Sequence, residues 1–220
     1  MVTHEKVIHL IAGGPKHLIP DSAFSNIGNI EWMGVDRGVS YLLEEGIIPH
    51  FAVGDFDSVT DEEWTEITLH IDEISRFRAE KDETDMELAM EWALKQNPTK
   101  IKIFGATGGR LDHFMANALM LSHYQKQNVL VKIEMLDLQN AISIYFPGRY
   151  QIQTDIQKKY ISFIPLTTDV TGLTLTGFKY PLTNHRVPFG SSLCISNELL
   201  LETGTFLFEN GILMMIRSND

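Results

Sequence analysis

At 220 residues the chain has room for one large domain or two modest ones, and 44% hydrophobic with 21% charged residues is the balance of a globular protein that buries a core. A formal net charge of -11 argues against nucleic acid as a partner, since a polyanion-binding surface needs the opposite balance. A lone cysteine, Cys194, excludes an internal disulfide and any cysteine metal cluster.

The start, Met1-Val2-Thr3-His4-Glu5-Lys6, does not read as a signal peptide, and no apolar run approaches the ~20 residues of a membrane span. A cytoplasmic protein without membrane association is expected. Val7-Ile8-His9-Leu10-Ile11-Ala12 reads as a buried first strand closed by Gly13-Gly14-Pro15, as many nucleotide-binding α/β sheets begin. That turn is not Gly-x-Gly-x-x-Gly, and no Walker-type loop occurs anywhere. A second strand, Ile30 to Val35, runs into Asp36-Arg37-Gly38. Val39 to Glu45 has helical periodicity, with Gly46 as its C-cap. Asp36 stands at this strand-to-helix junction, which suits a ribose hydroxyl or a helix cap equally.

The apolar run Phe51-Ala52-Val53 leads into Gly54-Asp55-Phe56-Asp57-Ser58. Residues two apart in extended chain point the same way, so both carboxylates could face one point. Held together they repel unless a cation or a shared proton lies between them. The chemistry indicated is a hard metal ion carrying phosphates, with Mg²⁺ first in line.

Asp61 to Ile67 is expected to be a short acidic helix, and Glu73 to Phe77 a strand. A second acidic knot follows, Lys81-Asp82-Glu83-Thr84-Asp85-Met86-Glu87. Thr84 with Glu87 matches a capping box, which predicts a helix from Asp85 to the Asn97-Pro98 stop. Asp82 then falls in the loop and Asp85 in the first turn, where the two could converge on a cation. The strand Ile101 to Phe104 opens into Gly105-Ala106-Thr107-Gly108-Gly109-Arg110-Leu111-Asp112-His113. Backbone N–H groups of such a loop, with the helix behind it, suit phosphate. Arg110 adds a forked cation, and Asp112 and His113 add a metal ligand or proton carrier. A helix from Phe114 to Lys126 is expected, with Met115, Ala118, Leu119 and Leu121 facing inward. Acidic or glycine-rich knots thus follow successive strands and would gather at their carboxyl ends.

From about Lys132 helix signals vanish. Short strands are expected at 132–136, 141–146, 150–153, 160–164, 173–176, 192–195, 205–208 and 213–216, with turns at Pro147-Gly148, Thr203-Gly204 and Asn210-Gly211. The fold class predicted is α/β for an N-terminal domain, 1–131, followed by an all-β C-terminal domain, 132–220.

With these residues in place, the chain resembles the bacterial thiamine pyrophosphokinases. The resemblance rests on Gly54-Asp55-Phe56-Asp57-Ser58, on Lys81 to Asp85 with Ala89, on Gly108 to His113 with Asn117, and on Ser196-Asn197-Glu198. It covers essentially the whole chain. It implies a Rossmann-like three-layer α/β domain binding ATP and Mg²⁺, a C-terminal β-sandwich binding thiamine, and a homodimer with active sites between subunits. The implied reaction moves the pyrophosphoryl group of ATP to the hydroxyl of thiamine and releases AMP. By the same resemblance, Asp55, Asp57, Asp82 and Asp85 surround the metal and phosphates, with Asp112 close by. Arg110 and the Gly108-Gly109 backbone hold phosphate oxygens, beside Thr84 and His113. Asp36 and Arg37 lie near the nucleotide, and Ser196 and Asn197 meet the thiamine pyrimidine. Many relatives stack a tryptophan on thiamine. No tryptophan follows Trp92 here, which leaves Phe206 and Phe208 as aromatic candidates.

Phosphoryl-type transfer needs mainly positioning and charge neutralisation, which a metal–carboxylate cage provides. The attacking alcohol must also lose its proton, and Asp57, Asp85 or Asp112 could accept it. An Asp-x-Asp pair alone would also fit an aspartyl-phosphate phosphatase, with Asp55 as nucleophile and Asp57 as acid. That reading leaves the Thr84 and Gly108 regions without a role.

Overall fold

The apolar runs of the first half become parallel strands because each is joined to the next by a crossover rather than a hairpin. The computed structural model describes residues 5–25, 29–56, 59–71, 74–76 (backbone alone) and 83–220; Asp57 and Asp82, two of the expected metal ligands, lie outside them. The chain divides into two units, Met1–Leu138 and Gln139–Asp220.

In the first unit β1 (Val7–Ile11), β2 (Ile30–Val35), β3 (Phe51–Gly54), β4 (Ile74–Arg76), β5 (Lys100–Phe104) and β6 (Lys132–Leu136) form a parallel sheet in the order β4-β3-β2-β1-β5-β6. Among the described residues four α-helices intervene: α1 (Gly38–Glu44), α2 (Asp61–His70), α3 (Asp85–Lys95) and α4 (Leu111–Gln127). The order reverses between β1 and β5, the place where open α/β sheets leave a crevice beyond the strand ends. Ile8, Leu10 and Ile11 of β1 are wholly buried, as expected for a central strand covered on both faces.

Strand β6, expected to open the second domain, instead pairs in parallel with β5, Ile101 opposite Ile133 and Ile103 opposite Met135. The α4 crossover before it dictates that direction. The first unit therefore runs seven residues past the expected boundary at 131, to Leu138. Helix α4 begins at Leu111 rather than Phe114, which moves Asp112 and His113 from the loop into its first turn. An acidic residue there meets the positive end of the helix dipole. Met115 and Leu119 do not face inward: with Leu111 they form an exposed apolar row at i, i+4 and i+8, while Ala118, Leu121 and Tyr124 take the buried side.

His9, in the middle of β1, points into a cluster containing Trp32 and Phe104. Its Nδ1–H donates to the Ala23 carbonyl at 2.8 Å, and Nε2 is buried without a hydrogen-bond partner among the described residues. Burial pushes the imidazole down from 6.5 to about 4, so the ring is neutral in the folded protein at pH 7.

The second unit is antiparallel throughout its two groups of strands. β7 (Asn140–Tyr145), β13 (Leu213–Ser218) and β9 (Tyr160–Pro165) pair in the order β7-β13-β9. β11 (Leu182–Pro188), β10 (Asp169–Thr176), β12 (Thr203–Phe208) and β8 (Gly148–Gln153) pair in the order β11-β10-β12-β8. Both groups supply one core: Ile161, Phe163, Leu213 and Met215 from the first, Leu173, Leu175, Phe206 and Phe208 from the second. Phe206 lies 4.9 Å from Phe163, 5.0 Å from Tyr145 and 5.1 Å from Tyr150, ring centre to ring centre. Phe206 and Phe208 are therefore core residues with no free ring face for a substrate.

Three expectations fail in this unit. Thr203 and Gly204, expected as a turn, instead open β12 and pair with Gln153 and Ile152. Residues 192–195 form turns instead of a strand, closed by Ile195 N–H donating to the Ser192 carbonyl, and of the four only Cys194 is buried. β11 was not foreseen. Its Thr183, Asn184, His185 and Arg186 are all exposed on an edge strand, so it lacks the alternation that marks a half-buried strand. No described helix is long and apolar enough to cross a membrane.

Candidate active site

Two strand ends and one helix start bring carboxylates together. Asp36 is the first residue beyond β2, Asp55 the first beyond β3, and Asp85 the first of α3. Each offers an oxygen, and the three oxygens lie within 4.8 Å of one another, half-buried. Around one octahedral Mg²⁺ with bonds of ~2.1 Å, oxygens stand roughly 3 to 4.2 Å apart, so the spacing and the all-oxygen donor set fit such an ion.

Local structure explains the convergence. Asp36 N–H donates to the Val53 carbonyl at 2.9 Å, tying the end of β2 to β3. Asp36 sits at φ 50°, a left-handed conformation that Asp tolerates better than most residues. Gly54 makes room for it: a Cβ there would collide with the Asp36 carboxylate. Asp85 is set by the start of α3, where Thr84 Oγ1 accepts from Glu87 N–H at 3.2 Å and Glu87 Oε2 accepts from Thr84 N–H at 2.8 Å. This capping box is the one expected from sequence. The far end of α3 is held by Trp92, stacked on Phe51 of β3 at 4.9 Å and 8°. The hydroxyl of Thr84, expected beside the nucleotide, belongs to the cap.

Asp36 thus stands with the metal-type carboxylates, although its sequence context suggested a ribose contact or a helix cap. The N-cap of α1 is its neighbour Arg37, which makes no side-chain capping hydrogen bond. The missed signal was readable: Asp36, like Asp55, is the first residue after an apolar strand. Arg37 leans toward α2, its Nε 3.9 Å from Glu63 Oε1. Glu63 also completes a second capping box with Thr60, a Thr-x-x-Glu pattern that the sequence carried openly.

The glycine-rich loop lies on the other side of β1. Ala12 N–H donates to the Phe104 carbonyl and Gly14 N–H to the Gly105 carbonyl, each at 2.8 Å, so the turns after β1 and β5 adjoin. Gly108 and Gly109 have φ of 76° and 65°, successive left-handed positions of the kind that build anion-binding turns. Beyond them, Arg110 forms a bidentate pair with Asp112, Nη2 to Oδ2 at 2.6 Å and Nε to Oδ1 at 3.1 Å. That guanidinium, with the His113 N–H, holds the Asp112 carboxyl at about 2, well below the usual range. Asp112 therefore stands apart from the three grouped carboxylates, and the exposed His113 beside it donates its backbone N–H to Asp112 Oδ1.

In the second unit Ser196 is exposed at φ 56°, and its N–H donates to Ser162 Oγ at 3.0 Å. Asn197 is buried and its amide is committed to the fold. Oδ1 accepts from the Tyr180 and Glu198 N–H groups at 3.0 and 2.9 Å, and Nδ2 donates to the Tyr180 carbonyl at 2.8 Å. Lys159 and Lys179 both pair with Glu198 at 2.8 Å, and the exposed ring of Tyr180 lies beside Lys179.

Comparison with known proteins gives this geometry its context. Residues 29–133 match the family model for the thiamin pyrophosphokinase catalytic domain, and residues 149–213 the model for the thiamin pyrophosphokinase vitamin B1 binding domain. The chain is 51% identical over 215 residues to a thiamine pyrophosphokinase of Bacillus subtilis, covering 98% of this chain and 100% of that one. Crystal structures of thiamine pyrophosphokinases from Bacillus subtilis and Geobacillus thermodenitrificans superpose with TM-scores of 0.91 and 0.89 at 50% and 47% identity. They cover 97% of this chain in both cases, and 99% and 98% of theirs. The chain belongs to the thiamin pyrophosphokinase family.

Proposed function

We infer that the protein is a thiamine diphosphokinase, forming thiamine diphosphate and AMP from thiamine and ATP. The observation that carries the reading is the 51% identity to the Bacillus subtilis enzyme across 98% of this chain and 100% of that one. The acidic group and the glycine-rich loop are its chemical complement.

Asp36, Asp55 and Asp85 would hold Mg²⁺, together with Asp57 and Asp82. A bound Mg²⁺ would neutralise charge on the phosphates that flank the bond being broken. The Gly108-Gly109 turn and Arg110 would take phosphate oxygens. Arg110 need only leave Asp112, an exposed pair of little net strength, to do so. The thiamine hydroxyl attacks the β-phosphorus with AMP as leaving group. Its proton needs an acceptor, and Asp112 is a poor one while Arg110 holds its carboxyl near 2. Asp85, within the carboxylate group, is the better candidate. Ser196 would meet the thiamine pyrimidine. Asn197 would serve chiefly by holding the Tyr180 and Glu198 backbones in place.

The finer architecture belongs to the same reading. Strand order reversing at β1 supports a Rossmann-like three-layer first domain, and a core shared by both antiparallel groups supports a β-sandwich. A homodimer is supported by the exposed apolar row Leu111, Met115 and Leu119, and by exposed Phe189, Leu193, Leu200 and Leu201 in the second unit. Incubation with thiamine, ATP and Mg²⁺ should yield AMP and thiamine diphosphate in equal amounts, from a species whose light-scattering mass is twice that of the chain. Free phosphate released without dependence on thiamine would refute the activity, and a monomeric mass would refute the dimer.

A further inference from the structure

Phe56 separates the aspartates of Asp55-Phe56-Asp57, yet its geometry is not that of a spacer. Its φ is 58°, a left-handed conformation that is a genuine outlier for a bulky side chain. The other described non-glycine residues with positive φ are Asp36, Asn97, Asn184 and Ser196, all small and polar. Strain of this kind persists only where surrounding contacts over-determine it, and such sites cluster at functional centres.

Those contacts are present. The Phe56 ring is 5% exposed and packs among Val39, Ala52, Ile67 and Ile71. Its centre lies 5.2 Å from the Trp64 ring on α2. The residue before Trp64 is Glu63, which reaches Arg37, the neighbour of Asp36. The first turn of α2 therefore braces both acidic loops, one through a ring contact and the other through a carboxylate. Because Phe56 is anchored in the core immediately after Asp55, a shift of its ring must shift the Asp55 backbone.

We propose that Phe56 is a positioning residue: wedged against Trp64, it holds the Asp55 carboxylate at the spacing from Asp36 and Asp85 that a divalent cation requires. The proposal rests on the metal reading given above. It makes the middle residue of the Asp-x-Asp motif, and α2 behind it, determinants of metal affinity without touching the ion.

The test is direct Mn²⁺ binding to the full chain without nucleotide, read from the free-ion EPR signal, alongside thermal melting. Four variants are compared: Asp55→Asn, Phe56→Leu, Trp64→Leu and Ile67→Ala, the last emptying the same apolar cluster from the helix side. Asp55→Asn and Phe56→Leu should each weaken Mn²⁺ binding by about tenfold or more, the scale seen when groups that orient metal ligands are removed. Trp64→Leu should weaken it in the same direction, which keeps the question open to test even if Phe56→Leu does not fold. Ile67→Ala should lower the melting temperature yet leave Mn²⁺ affinity within about twofold of wild type. Asp55→Asn losing affinity while Phe56→Leu and Trp64→Leu retain it would overturn the proposal and leave the metal site standing. An equal loss in Ile67→Ala would also overturn it, reducing Phe56 to a core residue. Identical binding by wild type and Asp55→Asn would remove the metal site and the proposal with it.

Discussion

The first unit holds acidic groups of two opposite kinds. Asp36, Asp55 and Asp85 each offer an oxygen within 4.8 Å of the others, whereas Asp112 is matched by the guanidinium of Arg110 through two hydrogen bonds. Carboxylate oxygens converging at that spacing present the donor set that a hard cation takes, so the first arrangement suits an added metal ion. The second is already neutral and must open before either partner does anything else. Carboxylates that look alike in sequence therefore carry different chemistry, decided by what each loop places beside them.

The largest effect expected from this contrast comes at Asp85. Asp85→Asn should lower kcat by about 10³, roughly 4 kcal/mol of transition-state stabilisation, while far-UV circular dichroism stays unchanged. Turnover within a few-fold of wild type would place Asp85 outside the machinery. Next comes a pH effect that belongs to neither acidic group and must be separated from both. His9 binds its proton with a pKa of about 4 in the folded chain and about 6.5 unfolded, so the unfolded state takes up the proton first as pH falls. Stability from this residue is complete above about pH 6.5, declines as pH drops towards 4, and levels below that. The total is up to about 3 kcal/mol. Urea unfolding at pH 7 and pH 4.5 should show the loss in wild type and a smaller one in His9→Gln; equal losses would acquit His9. The smallest effect is at the neutral pair. Arg110→Ala should raise KM for ATP by about tenfold, near 1.4 kcal/mol, with kcat less affected. An unchanged KM would mean that Arg110 serves only Asp112.

The parallel sheet and α3 were legible because buried strands read as continuous apolar runs and Thr84 with Glu87 is an explicit start signal. The acidic group was legible in part. Asp55 and Asp85 stood out, but Asp36 required knowing that β2 and β3 are neighbours in register, Val35 beside Val53. Phe56 could not be read at all, since a backbone dihedral and a ring contact with Trp64 leave no trace in composition or spacing. In the second unit two of the errors came from exposure. β11 hides because its exposed side chains are polar, and 192–195 looked like a strand although most of its side chains meet solvent. Asn197, expected at the substrate, is buried with its amide bonded to Tyr180 and Glu198, a role that its sequence context does not show.

The flat stack of Trp92 on Phe51 has a consequence for angle as well as distance. Seven residues separate Asp85 from Trp92, and at ~100° per residue they return to within ~20° of the same side of α3, roughly 10 Å apart along its axis. The indole and the carboxylate therefore ride on one ridge. The stack acts as a key on a shaft: α3 cannot roll without unseating the indole, so the bearing of Asp85 is locked from two turns away.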